Sequence, residues 1–331
     1  MRKINIPIFV SHQGCPNDCI FCNQKKITGV YKKEKEEEIK DKISSFLETC
    51  DENSEIEISF FGGSFTGIDI EEQNMYLNVA GTFFYDKRVK GIRISTRPDY
   101  ISYDILENLL KKGVTTIELG VQSMNDNVLN MNKRGLTSKQ TVDAVKKIRE
   151  YNFDLGLQMM VGMYGSTYDD DIFTCEEIIK LKPDFVRIYP TVVIKETKLY
   201  DLYNCKAYIP YSLDEAVKIS AKLLLKFQNA NIDVIRIGLM AGEDINENNV
   251  YGPYHSSFRE LVESYIYYNK IKDDISNLNT DSIVIKCNKK LVSKIIGNKK
   301  ANIKKLKEEF NLKSLKVLES DISEYIITDD K

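Results

Sequence analysis

From the start of the chain to about residue 240, seven short β-rich runs alternate with amphipathic helical stretches, and that alternation limits the folds open to it. The runs are Ile4-Val10, Ile56-Phe61, Ile92-Thr96, Thr116-Val121, Leu155-Val161, Phe185-Tyr189 and Asp233-Leu239. Helices are expected over Lys33-Glu48, Glu71-Phe84, Tyr103-Lys112, Ser138-Tyr151, Tyr168-Leu181 and Leu213-Asn229, with breakers such as Gly113 and Pro183 marking their ends. This is the spacing of repeated βα units, so the expected class is α/β with a parallel sheet. In a parallel barrel the C-terminal strand ends share one face, and residues distant in sequence can line one cavity there. The residues that look chemical follow strands: the cysteines the first, Gly62-Gly63-Ser64 the second, Arg97 the third, and Gln122 and Ser123 the fourth.

Beyond about residue 245 the pattern changes to a helix near Ser256-Asn269, then strand, helix and strands through Ile327. The expected organisation is a core domain over 1–245 and a small α+β extension over 246–331. At 331 residues and 42% hydrophobic, the chain is large enough to bury an extensive core. The net charge of -2 conceals a local imbalance, because residues 286–317 hold eleven Lys against Glu308 and Glu309. The run Ile4 to Val10 lacks the length of a signal h-region, and no stretch approaches the roughly 20 apolar residues that span a bilayer. No export signal and no membrane association are expected.

Seven cysteines, three of them within eight positions, do not read as a disulfide framework, and a reducing cytoplasm suits them best. Gly14-Cys-Pro-Asn-Asp-Cys-Ile-Phe-Cys22 is a C-x3-C-x2-C arrangement that lets the thiolates of Cys15, Cys19 and Cys22 converge on one inorganic centre. Thiolates suit iron-sulfur clusters and zinc, but structural zinc wants four closed ligands. Cys50, Cys175, Cys205 and Cys287 are single and scattered, although a folded loop could recruit one of them.

With that spacing the chain resembles the radical S-adenosylmethionine superfamily, whose fold would be a partial (β/α)6-type barrel. The resemblance implies an enzyme with a 4Fe-4S cluster on Cys15, Cys19 and Cys22, whose open iron chelates S-adenosyl-L-methionine. Reductive cleavage then yields a 5'-deoxyadenosyl radical, which implies a reducing electron-donor protein as partner. Phe21 resembles the aromatic that packs near the cofactor; loop packing is its plain alternative. His12 would hydrogen-bond near the cluster or cap the loop. Gly62-Gly63-Ser64 resembles the superfamily's Gly-Gly-Glu motif, with Ser64 offering a hydroxyl in place of the carboxylate. Ser95 and Arg97 end a polar strand and would face the cofactor or a substrate anion, or form a rim ion pair. Gln122 and Arg134, twelve positions apart, are similar to cofactor contacts in oxygen-independent coproporphyrinogen oxidases. Gln158 stands where those relatives carry an Asp that binds ribose hydroxyls.

Several segments further resemble the radical domain of the Elongator catalytic subunit family: the His-Gln-Gly-Cys-Pro lead-in, Ser95-Thr-Arg-Pro-Asp99, Glu118-Leu-Gly-Val-Gln-Ser123, Tyr189-Pro-Thr191, Val234-Ile-Arg-Ile-Gly238 and Gly252-Pro-Tyr-His-Ser-Ser-Phe-Arg-Glu260. That group modifies wobble uridine in transfer RNA with acetyl-coenzyme A; the acetyltransferase domain of the group is not expected here, since the segment after about residue 250 shows no such pattern. The implied partner is tRNA or another RNA. Lys294, Lys299, Lys300 and Lys304 are the candidate phosphate contacts, on a lysine-rich turn that opens onto a helix. That turn faintly resembles the Gly-x-x-Gly loop of KH modules, with Lys300 in place of the second glycine; a solvated basic helix face is the plain alternative. Two other readings stand beside this one: an enzyme acting on a small metabolite, related to coproporphyrinogen oxidase, and a non-catalytic iron-sulfur RNA-binding accessory protein.

Overall fold

The computed structural model describes residues 2–10, 15, 19–23, 26, 34–240, 245–276, 278 and 280–329. Strands β1 (Arg2–Phe9), β2 (Ser54–Phe61), β3 (Val89–Thr96), β4 (Val114–Gln122), β5 (Asp154–Val161), β6 (Phe185–Pro190) and β8 (Asp233–Ile237) form one seven-stranded sheet in the order β1-β2-β3-β4-β5-β6-β8. Every neighbouring pair in it is parallel. The seventh sequence run therefore joins the same sheet, beside the sixth.

Between the strands run helices α1 (Glu36–Thr49), α2 (Ile70–Gly81), α3 (Tyr103–Lys111), α4 (Asp126–Met131), α5 (Ser138–Arg149), α6 (Tyr168–Lys180), α7 (Lys198–Asn204) and α8 (Leu213–Asn229). Their starts follow local chemistry. Asp69 and Ser102 cap α2 and α3, while Thr137 with Gln140, Thr167 with Asp170 and Ser212 with Glu215 form capping boxes on α5, α6 and α8. The short helices α4 and α7 are additions to the sequence reading. So is a two-stranded ribbon of β7 (Val193–Ile194) and β9 (Val250–Tyr251).

Strand alternation decides what each face meets. On β2, Ile56, Ile58 and Phe60 are at most 1% exposed and join the helix-covered core, while Glu57, Ser59 and Phe61 take the other face. That second face is concave. The Arg187 guanidinium of β6 lies 5.3 Å from the Phe61 ring of β2, although four strand spacings of a flat sheet would separate them by about 19 Å with side chains standing parallel. The sheet is thus curled into a partial barrel, with α1 to α8 outside and a polar wall inside.

The second core belongs to the C-terminal segment. Helix α9 (Phe258–Ser276) lends Phe258, Val262 and Ile266 to the barrel core and Ile271 and Ile275 to this smaller one. Strands β10 (Ser282–Cys287), β11 (Ser314–Glu319) and β12 (Tyr325–Asp329) form a sheet in the order β11-β10-β12. The β10–β11 pair is parallel, β10–β12 antiparallel, and the crossover carries α10 (Val292–Ile296) and α11 (Ala301–Glu309).

Candidate active site

At the strand ends of the barrel Cys19 meets Arg134, and Gln122 meets Gln158. Cys19 is buried, and Cys15 and Cys22 are partly exposed. Two backbone ties hold the turn that follows Cys19: the Ile20 amide donates to the Asn132 carbonyl at 3.2 Å, and Leu199 N donates to the Ile20 carbonyl at 2.8 Å. Ile20 and Phe21 enter an aromatic cluster with Val193, Leu199, Tyr208 and Tyr251, so Phe21 anchors this turn. His12 lies outside the described residues. Among the described residues, no three His, Cys, Asp or Glu side chains converge closely enough to hold a metal ion.

Arg134 reaches this turn from the loop after α4. Its Nη1 lies 3.7 Å from Cys19 Sγ, its Nη2 donates to the Gly120 carbonyl, and its buried Nε has no partner among the described residues. Arg97, 3% exposed, donates to Asp99 and to the Arg134 carbonyl, and its buried Nη1 is likewise unsatisfied. Burial works against the Arg97 charge, but Asp99 and, more distantly, the Cys15 and Cys19 sulfurs outweigh it and keep its pKa above the ordinary guanidinium value. Two buried guanidiniums with N–H groups to spare, beside cysteine sulfur, fit a thiolate-bound centre of negative charge and an anionic ligand next to it.

Gln122 and Gln158 meet on the same wall, with Gln158 Nε2 donating to Gln122 Oε1 at 3.2 Å. Gln122 has φ of +71° where the β4–β5 register slips, a left-handed conformation that costs a non-glycine residue energy and clusters at functional sites. Gly120 makes the close approach possible, since a Cβ there would stand 2.9 Å from Gln122 Nε2 and 3.2 Å from Arg134 Nη2. Ser95 is half-buried on the inner face of β3, and Gly62 (φ +88°) and Gly63 are half-buried at the tip of β2. Ser64 is fully buried, and its hydroxyl ties the tips of β2 and β3 together through Thr96 Oγ1 at 2.9 Å and the Arg97 amide at 3.3 Å.

Sequence reading missed the inner wall below these groups. Arg93 bonds Glu57 and Glu118, the latter at 2.6 Å; Arg187 donates to the same Glu118 oxygen at 2.8 Å; and Thr116 donates to Glu57. The signal was available: Glu57, Arg93, Glu118 and Arg187 each stand between two apolar residues of the opposite parity. The glycine turn after β5 is held by Asp171, which accepts from the Gly162 amide, Ser166 and Tyr211. Burial pushes the Asp171 carboxyl up to about 7, with those three hydrogen bonds pulling the other way.

In the C-terminal segment, Lys299, Lys300 and Lys304 are exposed, the first two in left-handed conformations on the turn between α10 and α11. Lys294 is instead paired with Glu263 at 2.9 Å. His255 accepts from the Ser257 amide, and Arg259 bonds the Val234 carbonyl and Glu263, which makes both part of the packing around the start of α9. No helix among the described residues is long and apolar enough to cross a membrane.

The chain is 32% identical over 186 residues to the tRNA uridine(34) acetyltransferase of Methanocaldococcus jannaschii, covering 50% of this chain and 34% of that protein. It is 32% identical over 164 residues to Elongator complex protein 3 of Saccharomyces cerevisiae, covering 48% and 28%. The match thus spans about a third of the length of these curated relatives. The solved archaeal Methanocaldococcus infernus Elp3, with an N-terminal deletion, superposes with a TM-score of 0.64 at 23% identity, covering 81% of this chain and 63% of that one, and so shares the fold. The radical SAM C-terminal domain matches residues 183–268. Since the Radical SAM superfamily itself matches residues 9–178, half of the chain and the whole stretch from the cysteine motif to α6, this protein belongs to that superfamily and is a radical SAM enzyme.

Proposed function

We propose that Cys15, Cys19 and Cys22 hold a 4Fe-4S cluster, that S-adenosyl-L-methionine binds beside it, and that the substrate is a uridine of transfer RNA. The observation that carries the cofactor reading is the convergence of Cys19, Arg134, Gly120, Gln122 and Gln158 at the C-terminal strand ends. Held by Cys15, Cys19 and Cys22 and reduced, the cluster would supply the electron for reductive cleavage of the S-adenosylmethionine sulfonium, and with it the hydrogen-abstracting radical chemistry.

The chain's own residues bind and orient. Arg134, with its spare Nε proton, pairs with the cofactor carboxylate, and Arg97 holds Arg134 in place through the Arg134 carbonyl. Gln122 and Gln158, neutral amides, hydrogen-bond the ribose hydroxyls, and Gly62 and Gly63 bring backbone to the methionine amino group with Ser95 alongside. Phe21 fixes the cysteine turn through the aromatic cluster, and Ser64 fixes the tips of β2 and β3.

The RNA part of the reading rests on archaeal relatives named as tRNA uridine(34) acetyltransferases and on the exposed lysines of the turn. Lys299, Lys300 and Lys304 meet phosphates, with Lys294 placing the turn against Glu263. In this reading the chain divides near residue 245 into a catalytic barrel and a module that presents RNA, and an electron-donor protein of a reducing cytoplasm reduces the cluster. Two measurements test it. Anaerobically reconstituted protein with reductant is expected to release 5'-deoxyadenosine, and its absence from cluster-loaded protein, with or without tRNA, refutes the cofactor chemistry. Nucleoside mass spectrometry of cells with and without the gene is expected to show one altered uridine, and an unchanged profile removes tRNA as substrate.

A further inference from the structure

At the β8 edge of the inner wall Arg187 and Arg236 stand side by side, and Glu118, which Arg187 shares with Arg93, is the carboxylate bonded there. Arg93, Arg187 and Arg236 lie on that wall, and the carboxylates set among them are Glu57 and Glu118. Glu57 is engaged by Arg93, and Glu118 is shared by Arg93 and Arg187. Val234 and Ile237 both lie in the helix-side core, but the β6–β8 register shifts past Ile235 and pairs Arg236 with Arg187, which puts Arg236 on the face of Arg187. Among the described residues Arg236 has no hydrogen-bond or ion-pair partner, and the Nε atoms of both Arg187 and Arg236 are buried and unsatisfied. Asp154 and Asp233 stand at the opposite, N-terminal strand ends.

Two neighbouring guanidiniums in a shielded place repel one another unless an anion lies between them, and a buried N–H without an acceptor is costly. Tyr189 adds a third group. Its hydroxyl accepts from Arg187 Nη1 at 3.3 Å, which leaves the phenolic proton free to donate. Arg187 is also the register partner of Gln158, so this cluster begins where the proposed ribose contacts end and runs toward the β8 edge of the sheet.

We propose that Arg187, Arg236 and Tyr189 form a subsite for an oxyanion of the substrate, a phosphate or a carboxylate, held beside the nucleoside end of the cofactor. The subsite does not depend on RNA being the substrate: the same group comes from a nucleic-acid backbone or from a small anionic metabolite. The test titrates inorganic phosphate, then acetate, into anaerobically purified full-length protein at constant ionic strength, followed by calorimetry, and repeats the series with an unmodified tRNA transcript. Saturable binding of phosphate or acetate is expected, weakened about tenfold or more in R236Q, as befits loss of a charge-assisted hydrogen bond, and less in R236K. Y189F gives a second, milder variant should R236Q fold poorly, with a smaller weakening expected. If tRNA binding weakens in step and phosphate competes with it, the oxyanion is a backbone phosphate. If the small anions lose affinity while tRNA does not, it belongs to a metabolite. No saturable binding of either anion, or binding that survives both R236Q and Y189F and falls only when Lys299, Lys300 and Lys304 are replaced, overturns the subsite.

Discussion

The barrel wall and the C-terminal turn are both cationic, and they handle charge in opposite ways. On the wall, Arg93 and Arg187 are largely buried and fixed by shared carboxylates, so each position is set by hydrogen bonds on several strands. On the turn, Lys299, Lys300 and Lys304 are exposed on flexible stems. Buried guanidiniums discriminate by geometry, whereas exposed ammonium groups attract any polyanion in a salt-dependent way. The first region suits recognition of a particular group; the second suits capture.

Four experiments press on that contrast. The largest effect is expected at the mouth above the wall: C19A should lose cluster iron and 5'-deoxyadenosine formation together, read by iron content and chromatography, while K299A/K300A/K304A keeps its iron. If the cysteine variant retained both, the site would have to be placed elsewhere. Next is E118Q, which strips Arg93 and Arg187 of their shared carboxylate and is expected to cost about 3–5 kcal/mol in chemical denaturation, as for a broken buried ion pair. A cost below about 1 kcal/mol would mean that the wall is far wetter than its burial suggests.

The third concerns Asp171, raised to about 7 from an ordinary value of 3.8. Between about pH 4 and 7 the unfolded chain releases a proton that the folded chain keeps. The stability this group lends is therefore complete below about pH 4 and is lost as pH rises to about 7, with a slope of up to roughly 1.4 kcal/mol per pH unit. D171N is expected to flatten that part of the profile, and an unaltered slope would assign it to other groups. The smallest stability effect belongs to the lysine triple variant, within about 0.5 kcal/mol of the parent. Its signature lies elsewhere, in a log affinity for tRNA against log salt slope shallower by roughly two to three.

How much was readable beforehand differs by residue. The strand runs placed the cysteines, Gly62-Gly63, Arg97 and Gln122 at one mouth because parallel βα repeats leave their C-terminal ends together. Gln122 and Gln158 were both singled out, but their hydrogen bond depends on a register slip after Gly120 that spacing does not announce. For Phe21 the sequence offers a cofactor contact or loop packing, and for Ser64 a hydroxyl in place of a carboxylate; in the structure Ser64 ties Thr96 and Arg97, and Phe21 packs in an aromatic cluster built partly from α7. Lys294 matched its neighbours in composition yet is drawn back to Glu263.

Local covalent order by itself determined the alternation of strand and helix, the caps that start the helices, and a cysteine spacing that admits three thiolates at one centre. Periodicity and ligand spacing are properties of adjacent residues, so a chain read in one dimension reveals them. Only the curled sheet decided that Arg187 would stack on Phe61 four strands away, that Glu118 would serve two arginines, and that Arg236 would stand beside Arg187 with its Nε unsatisfied among the described residues. Those pairings follow from curvature and register, which arise when the helices pack and which no short stretch of sequence encodes.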